Sequence, residues 1–252
     1  GNYQNQIFQM IEGEKLGSFW GYTFAGIWQE DEVNAPFVDA NGQTNGKTNG
    51  EVYKVKPGNS KYVDINKDGV YNDADQGIIG CGQPTFNWGW NNTFNYKNFD
   101  FSFFVVGFHG FDIYNATHQM GYNLIKSQQV AGVTPMRELL NRWTPTNTNT
   151  NIPGFVNGGT ENKDFFSTRF VENGSFIKMK SITLGYTLPE TACRALGITN
   201  LRVYASVQNP FHITNYSGLD PEATMGSPLV QGVDWGSYPN SRNYLIGLNF
   251  SF

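Results

Sequence analysis

The final nine residues, YLIGLNFSF at 244–252, alternate to the end of the chain: Tyr244, Ile246, Leu248, Phe250 and Phe252 share one phase, and Gly247, Asn249 and Ser251 the other. Only Leu245 is out of phase. A period of two specifies a β-strand. A strand with one bulky apolar face and an aromatic carboxyl terminus is unusual in a water-soluble domain. It fits the closing strand of a membrane-spanning barrel, where one face meets hydrocarbon and the other a wet lumen.

Composition agrees with that reading. Of 252 residues, 15% are charged and 15% aromatic, yet the mean hydropathy is −0.43. No apolar run approaches the roughly 18 residues that a membrane helix needs. Alternating strands joined by large polar loops produce this mixture, and so does a turn-rich soluble β-sandwich. A formal net charge of −4 argues against a nucleic-acid partner. Cys81 and Cys193 have no metal-binding spacing, and no disulfide between them is expected. The chain opens in mid-pattern without an initiating Met, a signal peptide or a lipidation motif, as expected of a piece of a longer polypeptide.

Residues 84–96 give the clearest strand. Phe86, Trp88, Trp90, Phe94 and Tyr96 share a face interrupted by Asn92, opposite Asn87, Gly89, Asn91, Thr93 and Asn95. After a turn at Lys97-Asn98, Phe99, Phe101, Phe103 and Val105 oppose Asp100 and Ser102. From Phe104 to Phe108 both faces are apolar, so the inward side there is expected to pack on something, such as a plug domain. Residues 182–188 and 201–208 repeat the alternation, and Phe19 to Trp28 reads as an aromatic strand with Trp20, Tyr22, Phe24 and Trp28 on its heavier face.

The connections alternate in length: long at about 30–83, 110–174 and 209–240, short at 97–98 and 189–199. Membrane barrels divide their loops in this way, with short periplasmic turns and long extracellular loops. The phase places Lys178 and Lys180 outward at the extracellular end, within reach of lipid headgroups. Six strands cannot close a membrane barrel, and an open edge in lipid leaves backbone groups without partners. The chain is therefore read as all-β, a six-strand antiparallel sector (residues 1–252) of a larger transmembrane barrel. The alternative is a soluble, calcium-stabilised, glycan-binding β-domain.

The segment DINKDGVYNDAD, 64–75, is the sharpest chemical motif. Calcium loops of twelve residues place oxygens at positions 1, 3, 5, 7, 9 and 12 around a Gly at 6. Here these are Asp64, Asn66, Asp68, the Val70 carbonyl, Asn72 and Asp75, with Gly69 at the sixth. A structural calcium ion is expected there, although Asp at the last position makes bidentate ligation harder; the alternative is a solvated Asx-rich turn. His109, His118 and His212 are isolated. No nucleophile elbow or phosphate loop is present, so nothing supports catalysis. Thr134 and Pro135 read as the start of a short helix through Leu140. Trp143, Trp235 and Tyr238 are candidates for stacking on a substrate sugar ring, and packing against loop neighbours is the alternative.

Several segments, in order, resemble the SusC/RagA-type TonB-dependent transporters of Bacteroidetes outer membranes. They are GSFWGYTFAGIWQEDE (17–32), KYVDINKDGVYNDADQGIIG (61–80), NNTFNYKNFDFSFFVVGFHGFDIYN (91–115), NRWTP (141–145), VENGSFIKMKSITLGYTLPE (171–190), VYASVQNPFHITNYSGLDPE (203–222) and the aromatic terminus. The resemblance implies the C-terminal part of a 22-stranded barrel holding an N-terminal plug. It also implies a SusD-like surface lipoprotein as partner, energy delivered through TonB by the missing N-terminal part, and import of glycans or peptides across the bacterial outer membrane.

Overall fold

In the computed structural model the described residues are 7–8, 11–122, 136–154, 165–195, 197–222 and 231–252. The chain divides into two units. One comprises Gly1–Gly82, Ile113–Glu172 and Met225–Gly236, the other Gln83–Asp112, Asn173–Thr224 and Ser237–Phe252. This division follows the loop asymmetry: the second unit keeps the long strands and short turns, and the first gathers most of the long connections.

The first unit is built from short pieces. Strand β1 (Ser18–Tyr22) pairs with β6 (Gln76–Cys81), β2 (Phe24–Ile27) with β5 (Ser60–Tyr62), and β3 (Pro36–Val38) with β4 (Thr44–Thr48), all antiparallel. The run from Phe19 to Trp28 is thus two strands with different partners, not one long strand. Phe19, Tyr22 and Trp28 are 0%, 6% and 4% exposed, so the run lies in a protein core rather than against lipid. The register slip between Phe24 and Gly26, where Gly26 takes φ +118°, breaks the alternation that a spanning strand needs. Two five-residue helices, Glu30–Asn34 and Asn49–Tyr53, begin at reciprocal caps in which Gln29 pairs with Glu32 and Thr48 with Glu51. The core gathers Ile7, Phe19, Tyr114, Ala116, Phe170 and Val233. Of the helix expected from Thr134, the first two residues lie outside the described residues, and Arg137–Asn141 is a 3-10 turn.

The second unit is a six-stranded antiparallel sheet. Strand β7 (Phe86–Tyr96) pairs with β8 (Phe99–His109), β8 with β11 (Phe176–Thr187), β11 with β12 (Asn200–Gln208), and β12 with β15 (Asn243–Ser251). The sixth strand is the short β13 (His212–Thr214), which extends the pairing on β11. Strands β9 (Asp112–Asn115), β10 (Val171–Asn173) and β14 (Val233–Asp234), which lie mostly in the first unit, form a separate three-stranded sheet. Among the described residues, β7 and β15 end the six-stranded sheet.

Register fixes which side chains share a face, because directly opposed residues point the same way. Trp90 lies opposite Val105, Val105 opposite Met179, Phe101 opposite Leu184, Leu184 opposite Ala205, and Ala205 opposite Ile246. One face is therefore aromatic and aliphatic across all five long strands. The other carries Asn95 opposite Asp100, Ser102 opposite Thr183, Thr183 opposite Ser206, and Arg202 opposite Asn249. Leu245 falls on this polar face, opposite Ser206. Its apolar upper part, expected to rest on a plug, is covered in part within the same unit: Phe108 stacks on Phe176, which packs edge-on against Phe111.

One phase differs from expectation. A bulge between Met179 and Ser181 inserts Lys180 as an extra residue in β11, and the alternation changes hand there. Lys178 then opposes Val106 on the polar-face side instead of pointing outward, and is only 2% exposed.

Candidate functional sites

The acidic loop closes on itself through its own backbone. Asp64 Oδ2 accepts from Gly69 N at 2.8 Å and from the Tyr53 hydroxyl at 2.9 Å. Asn66 Oδ1 accepts from Asp68 N (3.1 Å), and Asp68 Oδ1 from Val70 N (2.8 Å). Asn72 Oδ1 caps Ala74 N at 2.8 Å, and Asp75 reaches back to Ile65 N at 2.8 Å and Asn72 N at 3.0 Å. Gly69, at φ +82°, makes the turn possible, with Val52 and Phe37 packed beneath it. The six expected positions are thereby brought into one loop.

Two observations bear on a cation there. Asp64 Oδ1 is buried without a hydrogen-bond partner, an arrangement that leaves a carboxylate oxygen uncompensated. Asp68 Oδ2 instead accepts from the amides of Asn66 (2.9 Å) and Asn72 (3.2 Å), and among the described residues no three His, Cys, Asp or Glu side chains converge into a ligand set. The backbone N–H of Val70, then the Asn66 amide, holds the Asp68 carboxyl below its ordinary range. On the inner wall Tyr71 stacks on Tyr53 at 5.2 Å. Burial pushes the Tyr71 hydroxyl up to about 12, and burial and then the Asp64 carboxylate push Tyr53 up as well.

The candidate aromatics separate. Trp143 donates its indole N–H to Gln29 Oε1 at 2.9 Å and packs over Gly58 and Gly154, where a Cβ would come within 2.6 and 3.0 Å of its ring. It lines an open groove with Gln29, Glu30, Asp31, Asn34 and Asn149. Trp235 packs against the first unit's core. Tyr238 belongs to the second unit and is 92% exposed. Within the first unit, Trp143 and Trp235 stand at different places, the groove and the core.

The apolar face of the sheet is exposed. Phe86, Trp90, Phe94, Leu184, Ile246 and Leu248 are between 51% and 83% exposed, and together they form a contiguous surface far greasier than a water-soluble protein tolerates. Trp88 and Phe86, at the end where the long connections leave, lie near His109, to which Trp88 donates at 3.2 Å. Tyr96, Phe99 and Tyr186 ring the opposite end, with Phe99 and Tyr186 in contact at 4.7 Å. Apolar side chains in the middle with aromatics at both margins match a hydrocarbon slab and its two interfaces. No helix among the described residues is long and apolar enough to cross a membrane.

On the polar face Asp100 on β8 and Arg202 on β12 form a bidentate pair that passes over Gly185 of β11, where a Cβ would lie 2.4 Å from the carboxylate. Sequence spacing gives no sign of this pair, because register alone brings residues 102 positions apart together. Higher up, buried Lys178 pairs with buried Asp220 and with the partly exposed Glu222, a cluster concealed in the sequence by the bulge.

No family model matches the chain. It is 34% identical over 255 residues to TonB-dependent receptor P3 of Formosa agariphila, across 99% of this chain and 23% of that protein. It is 30% identical over 198 residues to TonB-dependent receptor SusC of Bacteroides thetaiotaomicron, across 78% of this chain and 18% of that protein. The chain therefore spans less than a quarter of these relatives' length. In fold it resembles the RagAB peptide importer, with TM-scores of 0.66 in the closed-closed state and 0.67 in the open-open state. Those matches cover 98% and 100% of this chain and 25% of each of those chains, at 23% and 22% identity. The exposed apolar sheet and the relatives agree: the chain belongs to the SusC/RagA-type TonB-dependent transporters of the outer membrane and forms a sector of their β-barrel.

Proposed function

We propose that the polypeptide to which this chain belongs imports an oligomeric nutrient, a glycan or a peptide, through a plugged barrel. TonB supplies the energy, and a SusD-like surface lipoprotein is the partner at the outer surface. The observation that carries the reading is the two-faced sheet, greasy outside and hydrogen-bonding inside, which is the wall of an aqueous passage through lipid. The relative named SusC and the structural likeness to the RagAB importer support the same reading. A soluble glycan-binding domain would not leave Ile246 and Leu248 at 83% and 60% exposure in a continuous apolar face. The test is uptake by the source cells of labelled oligosaccharide and labelled peptide pools, with and without the gene, together with recovery of a lipoprotein on a tagged copy. Loss of one uptake class and co-purification of a lipoprotein are expected. Unchanged uptake of both pools and no bound lipoprotein would contradict the proposal.

The same proposal includes a structural calcium ion at Asp64, Asn66, Asp68, the Val70 carbonyl, Asn72 and Asp75. The backbone already orients the loop, and the buried Asp64 Oδ1 supplies an oxygen in need of a partner. A hard cation would take the Asp68 oxygen now occupied by two amides. Calorimetric titration with calcium should show binding that Asp64→Ala with Asp68→Ala abolishes. Equal affinity in the two proteins would remove calcium from the account.

A further inference from the structure

Lys178 is the most deeply buried cation among the described residues, and its ammonium group is fully engaged. Nζ donates to Asp220 Oδ1 (3.2 Å) and Oδ2 (2.9 Å) and to Glu222 Oε2 (2.7 Å), matching the three donors an ammonium carries. Asp220 is equally saturated. Beyond Lys178, its Oδ1 accepts from Glu222 N at 3.0 Å and its Oδ2 from Asn240 N at 3.1 Å. The side-chain Nδ2 of Asn240 donates to Glu222 Oε2 at 2.9 Å, and Lys180 pairs with the other Glu222 oxygen. Two cations and two anions cancel, and each charge is hydrogen-bonded, which is the condition for keeping ions out of water.

The partners of this cluster stand at the two sides of one long connection. Asp220 and Glu222 lie where the chain leaves the second unit after β13, and Asn240 where it returns before β15; between them Met225–Gly236 belongs to the first unit. The bulge makes the arrangement possible, because without the extra residue Lys180 the alternation would turn Lys178 toward the apolar face.

We propose that Lys178 is a neck clamp: through Asp220 and Glu222 it holds the outgoing arm at Asp220–Glu222 and the returning arm at Asn240 together against β11. The proposal rests on side-chain geometry and stands whether or not the transport reading holds. Charge neutrality and saturated hydrogen bonding keep the clamp shut, whereas loss of the single ammonium leaves two carboxylates facing each other at the neck. The arms at Asp220–Glu222 and Asn240 would then part from each other and from β11 while the sheet below stays paired.

The backbone amides of Glu222 and Asn240 both donate to Asp220 and report on the clamp directly. Hydrogen exchange on the folded protein in detergent should show these two amides opening about 100-fold or more faster in Lys178→Met. Leu248 in β15 should keep its protection, and the more exposed Lys180→Met should change the neck amides by only a few fold. Asp220→Asn, which is nearly isosteric, is the second variant if Lys178→Met does not fold, and it should also release the neck. The clamp is overturned if the neck amides of a folded variant keep wild-type exchange, or if Lys180→Met releases them as strongly as Lys178→Met.

Discussion

At the scale of single residues, the sheet is set by what its glycines leave room for. Gly247 of β15 lies beneath the Tyr204 ring, and a Cβ there would come within 2.4 Å of ring carbon. Gly185 faces only the tips of Asp100 and Arg202, at 2.4 and 2.5 Å. A ring flat on the sheet cannot yield as two flexible tips can, so the same substitution should have unequal cost. Gly247→Ala should destabilise by about 1–3 kcal/mol in urea-dependent unfolding from detergent, through overpacking. Gly185→Ala should cost under about 1 kcal/mol, because it disturbs only a partly exposed ion pair. A second residue-scale prediction concerns the first unit. The pKa values of Tyr53 and Tyr71 are raised, so folding favours their neutral forms. The contribution of Tyr71 to stability is complete below the unfolded tyrosine value near 10 and is lost as pH rises toward about 12, where Tyr71 ionises, while that of Tyr53 declines over a wider range above 10. Alkaline titration followed by tyrosinate absorbance should show a late Tyr71 step accompanied by loosening of the first unit, and Tyr71→Phe should remove that step.

At the scale of elements, the long strands were legible because period two over nine to twelve residues has no other physical meaning. β7, β8, β11, β12 and β15 appear with the expected residues on each face, save where the bulge intervenes. What escaped was local phase and partnership. One inserted residue at Lys180 reverses the side of everything before it, and nothing in FIKMKSITLGYT distinguishes a bulge from an even strand. The run from Phe19 to Trp28 misled for a different reason: aromatic density looks alike whether lipid or a protein core covers it, and only its short pairings show which. The acidic loop was legible in outline, since its turn chemistry is local, while its Tyr53 and Tyr71 wall depends on the fold. The element-scale prediction follows from the faces. Ile246→Arg, mid-strand on the apolar side, should cost about 2–4 kcal/mol when the protein folds into a bilayer. An exposed side chain on a water-soluble sheet would change by only about ±0.5 kcal/mol. Asn91→Arg, on the polar face of β7, should be far better tolerated, as read from folding titrations in lipid vesicles.

For the whole molecule, the division of labour between long and short connections is the organising fact. Short turns at Lys97-Asn98 and around Glu190–Ala195 stay with the sheet, and most of the long excursions collect in the first unit. Among the described residues the sheet ends in β7 and β15, and their outer edges carry backbone groups that lipid cannot satisfy, so this sector needs neighbouring strands to exist in a membrane. The family's length agrees, as this chain covers only 23% of receptor P3. The central claim is that hydrocarbon covers one face of the sheet and water the other. Spin labels placed singly along β15 in the intact outer-membrane protein test it by collision with oxygen, which concentrates in lipid, and with a water-soluble nickel complex. Labels at 244, 246, 248 and 250 should collide with oxygen and those at 243, 247 and 249 with nickel, in strict alternation. Equal access to nickel on both faces, or a greasy face shielded from both reagents, would contradict the account.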